Sequence, residues 1–176
     1  IGSNIGIYSI LMAKNHSNLT IHAFEPHKDA FKRLKKNVYL NDFSNKIYLY
    51  EYALSSKDGD SFLETKNRFG LSQSGGAKIS DNGNIKIKYK TGDDLIKIKN
   101  EHIAIKIDTE GHELFVLQGI KNLLADNKIF LQIEIFPENI TFVIQFLNNL
   151  GFKLITKSQF THQKDILDYF FEKNFS

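Results

Sequence analysis

The chain has no cysteine and no tryptophan, and only one methionine and two prolines among 176 residues. Without cysteine it forms no disulfides and offers no thiolate ligands to a metal. That fits a reducing compartment, and a cytoplasmic location is expected. No apolar run approaches the roughly 18 residues that a membrane span needs. No stretch has the basic, apolar and small-residue order of a signal peptide. An excess of one charge is lacking too: 23 Lys and Arg face 20 Asp and Glu. The lysines are scattered, so neither a nucleic-acid nor a lipid footprint is present. What is there is ordinary for a globular protein, with 41% apolar and 24% charged residues. The length suffices for one domain with a real core, and a single domain over residues 1–176 is expected.

The opening IGSNIGIYSI reads as a strand end running into a glycine turn and then a helix from Ile5 to about Ala13. Such a turn normally follows a buried strand. The expectation is therefore a fragment that begins just inside its domain, its first strand missing. That strand would belong between those at 19–25 and 102–108.

Downstream, strands and helices alternate. LTIHAFE (19–25) is a short apolar run closed by an acid, hence a buried strand. Phe31, Leu34 and Val38 recur at helical spacing from about Asp29 to Leu40. IYLYEYAL (47–54) reads as one strand, and NIKIKYK (84–90) as a half-solvated one. SSKDGD and SDNGN are turn chemistry, and the stretch from Arg68 to Lys78 reads as a loop suited to a substrate-facing lid. HIAIKID, FLQIEIF, FKLIT and ILDYFF supply further strands. Between them come helices marked by Leu114, Leu117, Ile120 and Leu124, and by Ile140, Val143, Ile144 and Leu147. This order implies an α/β fold with a Rossmann-like, doubly wound, mostly parallel sheet.

In such sheets ligands gather at the carboxyl ends of strands. Four strand ends carry chemistry. Gly2-Ser3-Asn4-Ile5-Gly6 can turn tightly and present helix N–H groups to a ligand. Glu25 closes its strand 19 residues after Gly6, about where these folds place an acid that binds ribose hydroxyls. Ala53-Leu54 is small and apolar, suited to an adenine ring. IKIDTEGHEL (105–114) crowds Lys106, Asp108, Glu110, His112 and Glu113 into a corner where a core strand becomes a helix. Buried unpaired charge costs several kcal/mol, so this corner is read as an active site. His112 on its own reads as a surface residue of the helix's first turn, and Glu113 equally as an acid stabilising a helix N-terminus.

Taken in order, GSNIGIYSILMAK, AFEPHKDAFKRLKKNVYLND, YALSSKDGD, IKIDTEGHELFVLQGIKNLL and LQIEI resemble the FkbM-type methyltransferases over roughly residues 1–136. The resemblance implies a class I methyltransferase fold with S-adenosylmethionine as cofactor. It also implies methylation of a hydroxyl on a sugar or other small-molecule acceptor. It would place Gly2, Ser3, Asn4 and Gly6 at the methionine portion of the cofactor, Glu25 at its ribose, and Pro26, Ala53 and Leu54 at its adenine.

Methyl transfer to oxygen needs an aligned nucleophile and a base for its proton. Asp108 is the first choice for that role and Glu110 the second. On the polar face of their strands Lys106 and Glu134 are expected to meet, with Lys106 lending positive charge to a developing alkoxide. Asp108, Glu110 and Glu134 are hard oxygen ligands, but their spacing compels no metal and none is expected. Two other readings are a non-catalytic, methyltransferase-like binding module and a nicotinamide-dependent oxidoreductase. GSNIG lacks the middle glycine that the latter uses beside a pyrophosphate. The identity of the acceptor and the oligomeric state leave no signature.

Overall fold

The computed structural model describes residues 1–65, 67, 68, 71, 72, 75–158 and 166–175, with the backbone alone for 67, 68, 71 and 72. The chain divides into two compact units, Ile1–Ala53 with Gly59–Tyr89, and Leu54–Asp58 with Lys90–Ser176.

In the first unit, helix α1 (Ile7–Asn15) precedes strand β1 (Ile21–Phe24), helix α2 (Lys28–Leu40) and strand β2 (Ile47–Tyr50). β1 and β2 are parallel, with Ile21 opposite Ile47 and Phe24 opposite Tyr50. Ala30, Leu34 and Val38 recur every four residues on α2 and are buried there. Leu34 and Val38 meet Ala13, Ala23 and Ile47 in one apolar cluster. The α2 start lies one residue earlier than its spacing predicts, because the buried His27 caps it. Its Nδ1 accepts the N–H groups of Asp29 (3.3 Å) and Ala30 (3.4 Å).

IYLYEYAL, expected as one strand, is two. β2 stops at Tyr50, and β3 (Ala53–Leu54) joins a different sheet. That sheet runs in the order β3–β8–β4–β7, with β4 (Gly59–Glu64), β7 (Lys78–Ile79) and β8 (Ile85–Lys90) antiparallel. The turn-like SSKDGD thus leads directly into a strand that its composition conceals. Ala53, Leu63 and Ile87 form its buried cluster. Two further short strands, β5 (Asn67–Arg68) and β6 (Leu71–Ser72), pair antiparallel at the start of the stretch read as a lid loop. The remainder of 66–74 lies outside the described residues.

The second unit contains α3 (Gly92–Leu95), β9 (His102–Ile107), α4 (Glu113–Gly119), α5 (Lys121–Asp126) and β10 (Lys128–Ile135). A 3-10 turn (Pro137–Asn139), α6 (Ile140–Asn149), β11 (Lys153–Ser158) and β12 (Leu167–Lys173) complete it. The sheet order is β11–β12–β10–β9; β9 and β10 are parallel and β12 runs antiparallel to both of its neighbours. On one face Ile105, Ile107, Leu131, Ile133, Tyr169 and Phe171 are buried. The other face carries Lys106, Gln132 and Glu134, so alternation divides the sheet into an apolar side and a polar side. The helix expected from Leu114 to Leu124 is broken at Ile120 into α4 and α5. Pro137 opens the single 3-10 turn before α6, in keeping with a fixed φ at a helix start. Among the described residues no helix is long and apolar enough to cross a membrane.

Gly119, at the end of α4, lies against the Ser55 carbonyl. A Cβ there would sit 1.9 Å from that oxygen, and backbone cannot give way as a side-chain tip can. Gly119→Ala is expected to destabilise the fold by about 1–3 kcal/mol, the usual cost of overpacking. Urea unfolding of the two proteins checks this; equal midpoints would contradict the close approach.

Candidate functional site

The site residues of the first unit gather around the end of β1. Gly2 (φ 75) and Asn4 (φ 47) take left-handed backbone conformations, which fold the turn back on itself. Gly2 and Ser3 both donate their N–H to the Phe24 carbonyl, at 3.0 and 2.9 Å. Gly6 caps α1 at φ 92, and a Cβ there would approach Leu34 Cδ1 to 2.5 Å. Glycine at this position therefore serves both the turn and the packing of α2.

Glu25, just past β1, is 6% exposed. Its Oε2 accepts the Asn4 N–H and its Oε1 the His27 N–H, both at 2.8 Å. Two backbone amides thus compensate the buried carboxylate and fix its direction. A carboxylate so held suits a vicinal diol, which offers two O–H donors to two oxygens. Pro26 is half-buried beside it, and Ala53 is buried at the start of β3. The side chain of Leu54, in the second unit, is 2% exposed and lies against Gly92, so it belongs to that unit's core.

In the second unit, register sets the corner. Lys106 stands opposite Gln132, and Gln132 opposite Phe170; one step along the sheet, Glu134 stands opposite Asp168. Asp108 follows the end of β9 on the same face as Lys106. The Lys106 ammonium lies 2.5 Å from Asp108 Oδ2. The expected meeting of Lys106 with Glu134 takes a different form. Both side chains share the polar face, as the alternation implies, and Lys106 forms an ion pair with Asp108. Lys106 acts on Glu134 through its field.

After Asp108 the chain turns sharply. Glu110 (φ 55) and Gly111 (φ 101) are both left-handed, and for Glu110 that conformation costs of order 1–3 kcal/mol. Glu113, fully buried, holds the turn: its Oε1 accepts the Gly111 N–H (2.9 Å) and the Thr109 hydroxyl (3.1 Å). Burial pushes its carboxyl up. Asn139 Nδ2 donates to the Gly111 carbonyl at 3.1 Å. His112, expected at the surface, is instead half-buried, stacked on Phe115, with Nε2 3.0 Å from the Ser55 hydroxyl. Burial lowers its pKa to about 4, so the imidazole is neutral at physiological pH.

One carboxylate oxygen from each of Asp108, Glu110 and Glu134 falls within 4.8 Å of the others. Glu134 is 8% exposed. Its carboxyl is pushed up to about 7, first by burial and then by the charges of Asp108, Glu110 and Asp168, with Lys106 pulling the other way. The positive charge of this corner is the Lys106 ammonium, and the arrangement is one that holds a proton among carboxylates. Sequence reasoning missed Asp168. Its signal was a lone acid in the otherwise apolar ILDYFF.

A glycine turn into α1, an acid closing β1 and charged residues closing β9 occur here on alternating strands and helices, the fold of class I methyltransferases. The methyltransferase FkbM from Methylobacillus flagellatus superposes with a TM-score of 0.67 at 17% identity, over 96% of this chain and 41% of that one. The N-terminal domain of human METTL16, in complex with SAH, superposes at 0.50 and 17% identity, over 98% and 58%. The sequence matches the methyltransferase FkbM domain over residues 1–154, and the chain belongs to that family. It is 32% identical over 146 residues to the hexuronic acid methyltransferase AglP of Haloferax volcanii, covering 80% of this chain and 58% of that protein. The chain thus spans little more than half the length of this curated relative.

The position of the Glu134 proton has a consequence for stability. Its folded-state value lies above the ordinary 4.5, so folding favours the neutral acid. That contribution is complete below about pH 4.5 and is lost as the pH rises through about 7. Glu134→Gln, which cannot ionise, is expected to gain in melting temperature over the native protein between pH 5 and pH 8. A Tm difference that does not vary with pH would contradict the placement.

Proposed function

We propose that the protein transfers a methyl group from S-adenosylmethionine to a hydroxyl of a sugar acceptor, with a hexuronic acid as the favoured class. The observation that carries this reading is Glu134, an acid with a proton affinity near neutrality beside the Lys106–Asp108 pair. Membership of the FkbM family and the likeness to a hexuronic acid methyltransferase support it. Glu25 accepts the two ribose hydroxyls, with Gly2, Ser3, Asn4 and Gly6 forming the turn that receives the methionine portion. Pro26 and Ala53 border the adenine. When bound, S-adenosylmethionine supplies a methyl on a positively charged sulfur. The chain's own task is then to align a hydroxyl oxygen and remove its proton.

We assign the acids different roles from those first expected, on the strength of their neighbours. Asp108 is engaged by Lys106, which suits it to orient the acceptor hydroxyl. Glu134 is matched to the operating pH, which suits it to take the proton. Lys106 stabilises the alkoxide character that develops on the oxygen, and Glu110 closes the corner from its left-handed turn.

The test is incubation of the intact protein with S-adenosylmethionine and hexuronic acid glycans, reading S-adenosylhomocysteine and the methyl ether by mass spectrometry. Failure to methylate any hydroxylated acceptor would overturn the reading. Glu25→Ala is expected to keep the fold and to weaken S-adenosylmethionine binding by about 10-fold or more, the loss of hydrogen bonds to a charged group. Unchanged affinity by calorimetry would remove Glu25 from the site. Lys106→Met is expected to lower kcat by about 100-fold, because an apolar side chain of similar length fills the space without the charge. Full turnover in that variant would reduce Lys106 to a packing role.

A further inference from the structure

We infer that Asp168, on the last strand of the sheet, is a positioning residue that keeps the exchangeable proton of the corner on Glu134. This deepens the proposal above and rests on its reading of Glu134 as the group that takes the acceptor's proton. Asp168 lies beyond residues 1–154, the segment matched by the family.

The argument begins with register. β12 pairs antiparallel with β10 so that Asp168 is directly opposite Glu134, and both side chains emerge on the same face. Both are buried, at 6% and 8% exposure. Two carboxylates directly opposite each other in a sheet destabilise it when both are ionised, more so when water is excluded. A strand pairing that places them there is tolerable if one of the two carries a proton.

Which one is settled by the neighbours. Gln132, on the same face of β10, donates its Nε2 hydrogen to Asp168 Oδ1 at 2.8 Å. That donor compensates the buried Asp168 oxygen. Glu134 has the opposite surroundings. Asp168 faces it from β12, and Asp108 and Glu110 face it from the segment after β9; Lys106, on β9, is the one cation among these groups and is bonded to Asp108. Carboxylates therefore flank Glu134 from both neighbouring elements. The proton resides on Glu134, and Asp168 holds it there from the side away from Asp108. Removal of the Asp168 charge releases that hold, so Glu134 then ionises at lower pH.

The experiment titrates the Glu134 carboxyl by NMR in the intact protein labelled with 13C-glutamate, its resonance identified by absence from Glu134→Gln. Asp168→Asn keeps an oxygen that can accept from Gln132 but removes the charge. It is expected to lower the Glu134 midpoint by about half a pH unit or more. The acid limb of the methyl-transfer profile is expected to move with it. Asp168→Thr, which suits a strand, must show the same direction, so that poor folding of one variant leaves the other to decide. A midpoint that stays or rises in a folded variant overturns the inference. The titration needs no activity, so the two readings fail separately. A shifted midpoint without methyl transfer in the native protein would sink the proposed function and leave the role of Asp168 standing. Transfer with an unmoved midpoint would do the reverse.

Discussion

The charged corner of the second unit depends on the register of β10 between β9 and β12. Side chains alternate across a strand, so a slip of β10 by one residue would send Gln132 and Glu134 to the apolar face and Leu131, Ile133 and Ile135 out of it. Ile107, Leu131, Ile133, Ile135 and Phe171 have no exposed surface. At about 1.5–3 kcal/mol for each buried side chain, these five contribute on the order of 10 kcal/mol to that register. Repulsion among carboxylates eased by one proton and one lysine amounts to a few kcal/mol at an effective dielectric near 20. The apolar face wins by a margin large enough to force the acids together on the opposite side.

The same imbalance allows strain at the following turn. Glu110 would rest more easily in a right-handed or extended conformation, and Gly111 alone could have supplied the reversal. Both are left-handed because the turn is tied at each end: β9 fixes Asp108, while Glu113 and Asn139 fix Gly111. Glu113 is buried to do so, with Oε2 left without a hydrogen-bond partner among the described residues. An acid that reads as a helix N-terminal charge is therefore also the brace that aims Glu110.

How far the fold was legible follows from which signals are local. Period-two alternation in HIAIKID and FLQIEIF gave strands in the right places, and Ala30, Leu34 and Val38 show why the α2 region reads as amphipathic. The break of IYLYEYAL at Glu51–Tyr52 was not legible, because its two halves pair in different sheets and only pairing separates them. β4 was hidden behind SSKDGD for a similar reason, since its support comes from β8, more than twenty residues later. At the site, the residue types of Lys106, Asp108, Glu110 and Glu134 announced a charged corner. Which acid meets the lysine did not follow from alternation, which gives the face of a side chain but not its reach. Asp168 was invisible for the deepest reason: it matters only because antiparallel pairing sets it against Glu134.

Two buried glutamates show how much of the chemistry lies in surroundings rather than in residue type. Glu25 and Glu134 are almost equally withdrawn from water, at 6% and 8% exposure, and each follows an apolar strand pattern. Glu25 is met by two backbone amides from a glycine turn and a helix start. Backbone donors cannot titrate, so this acid is a fixed acceptor, suited to recognition of a diol. Glu134 is met by side-chain carboxylates and a lysine one bond removed. Those neighbours are themselves ionisable, so its proton is set by charge and can be released when the charge around it changes. In the proposed methyl transfer to oxygen the two acids would divide the work, the rigid one for the partner that donates the methyl and the responsive one for the partner that loses a proton. On the proposed reading, the glycine turn would hold the first and the register of three strands would set the second.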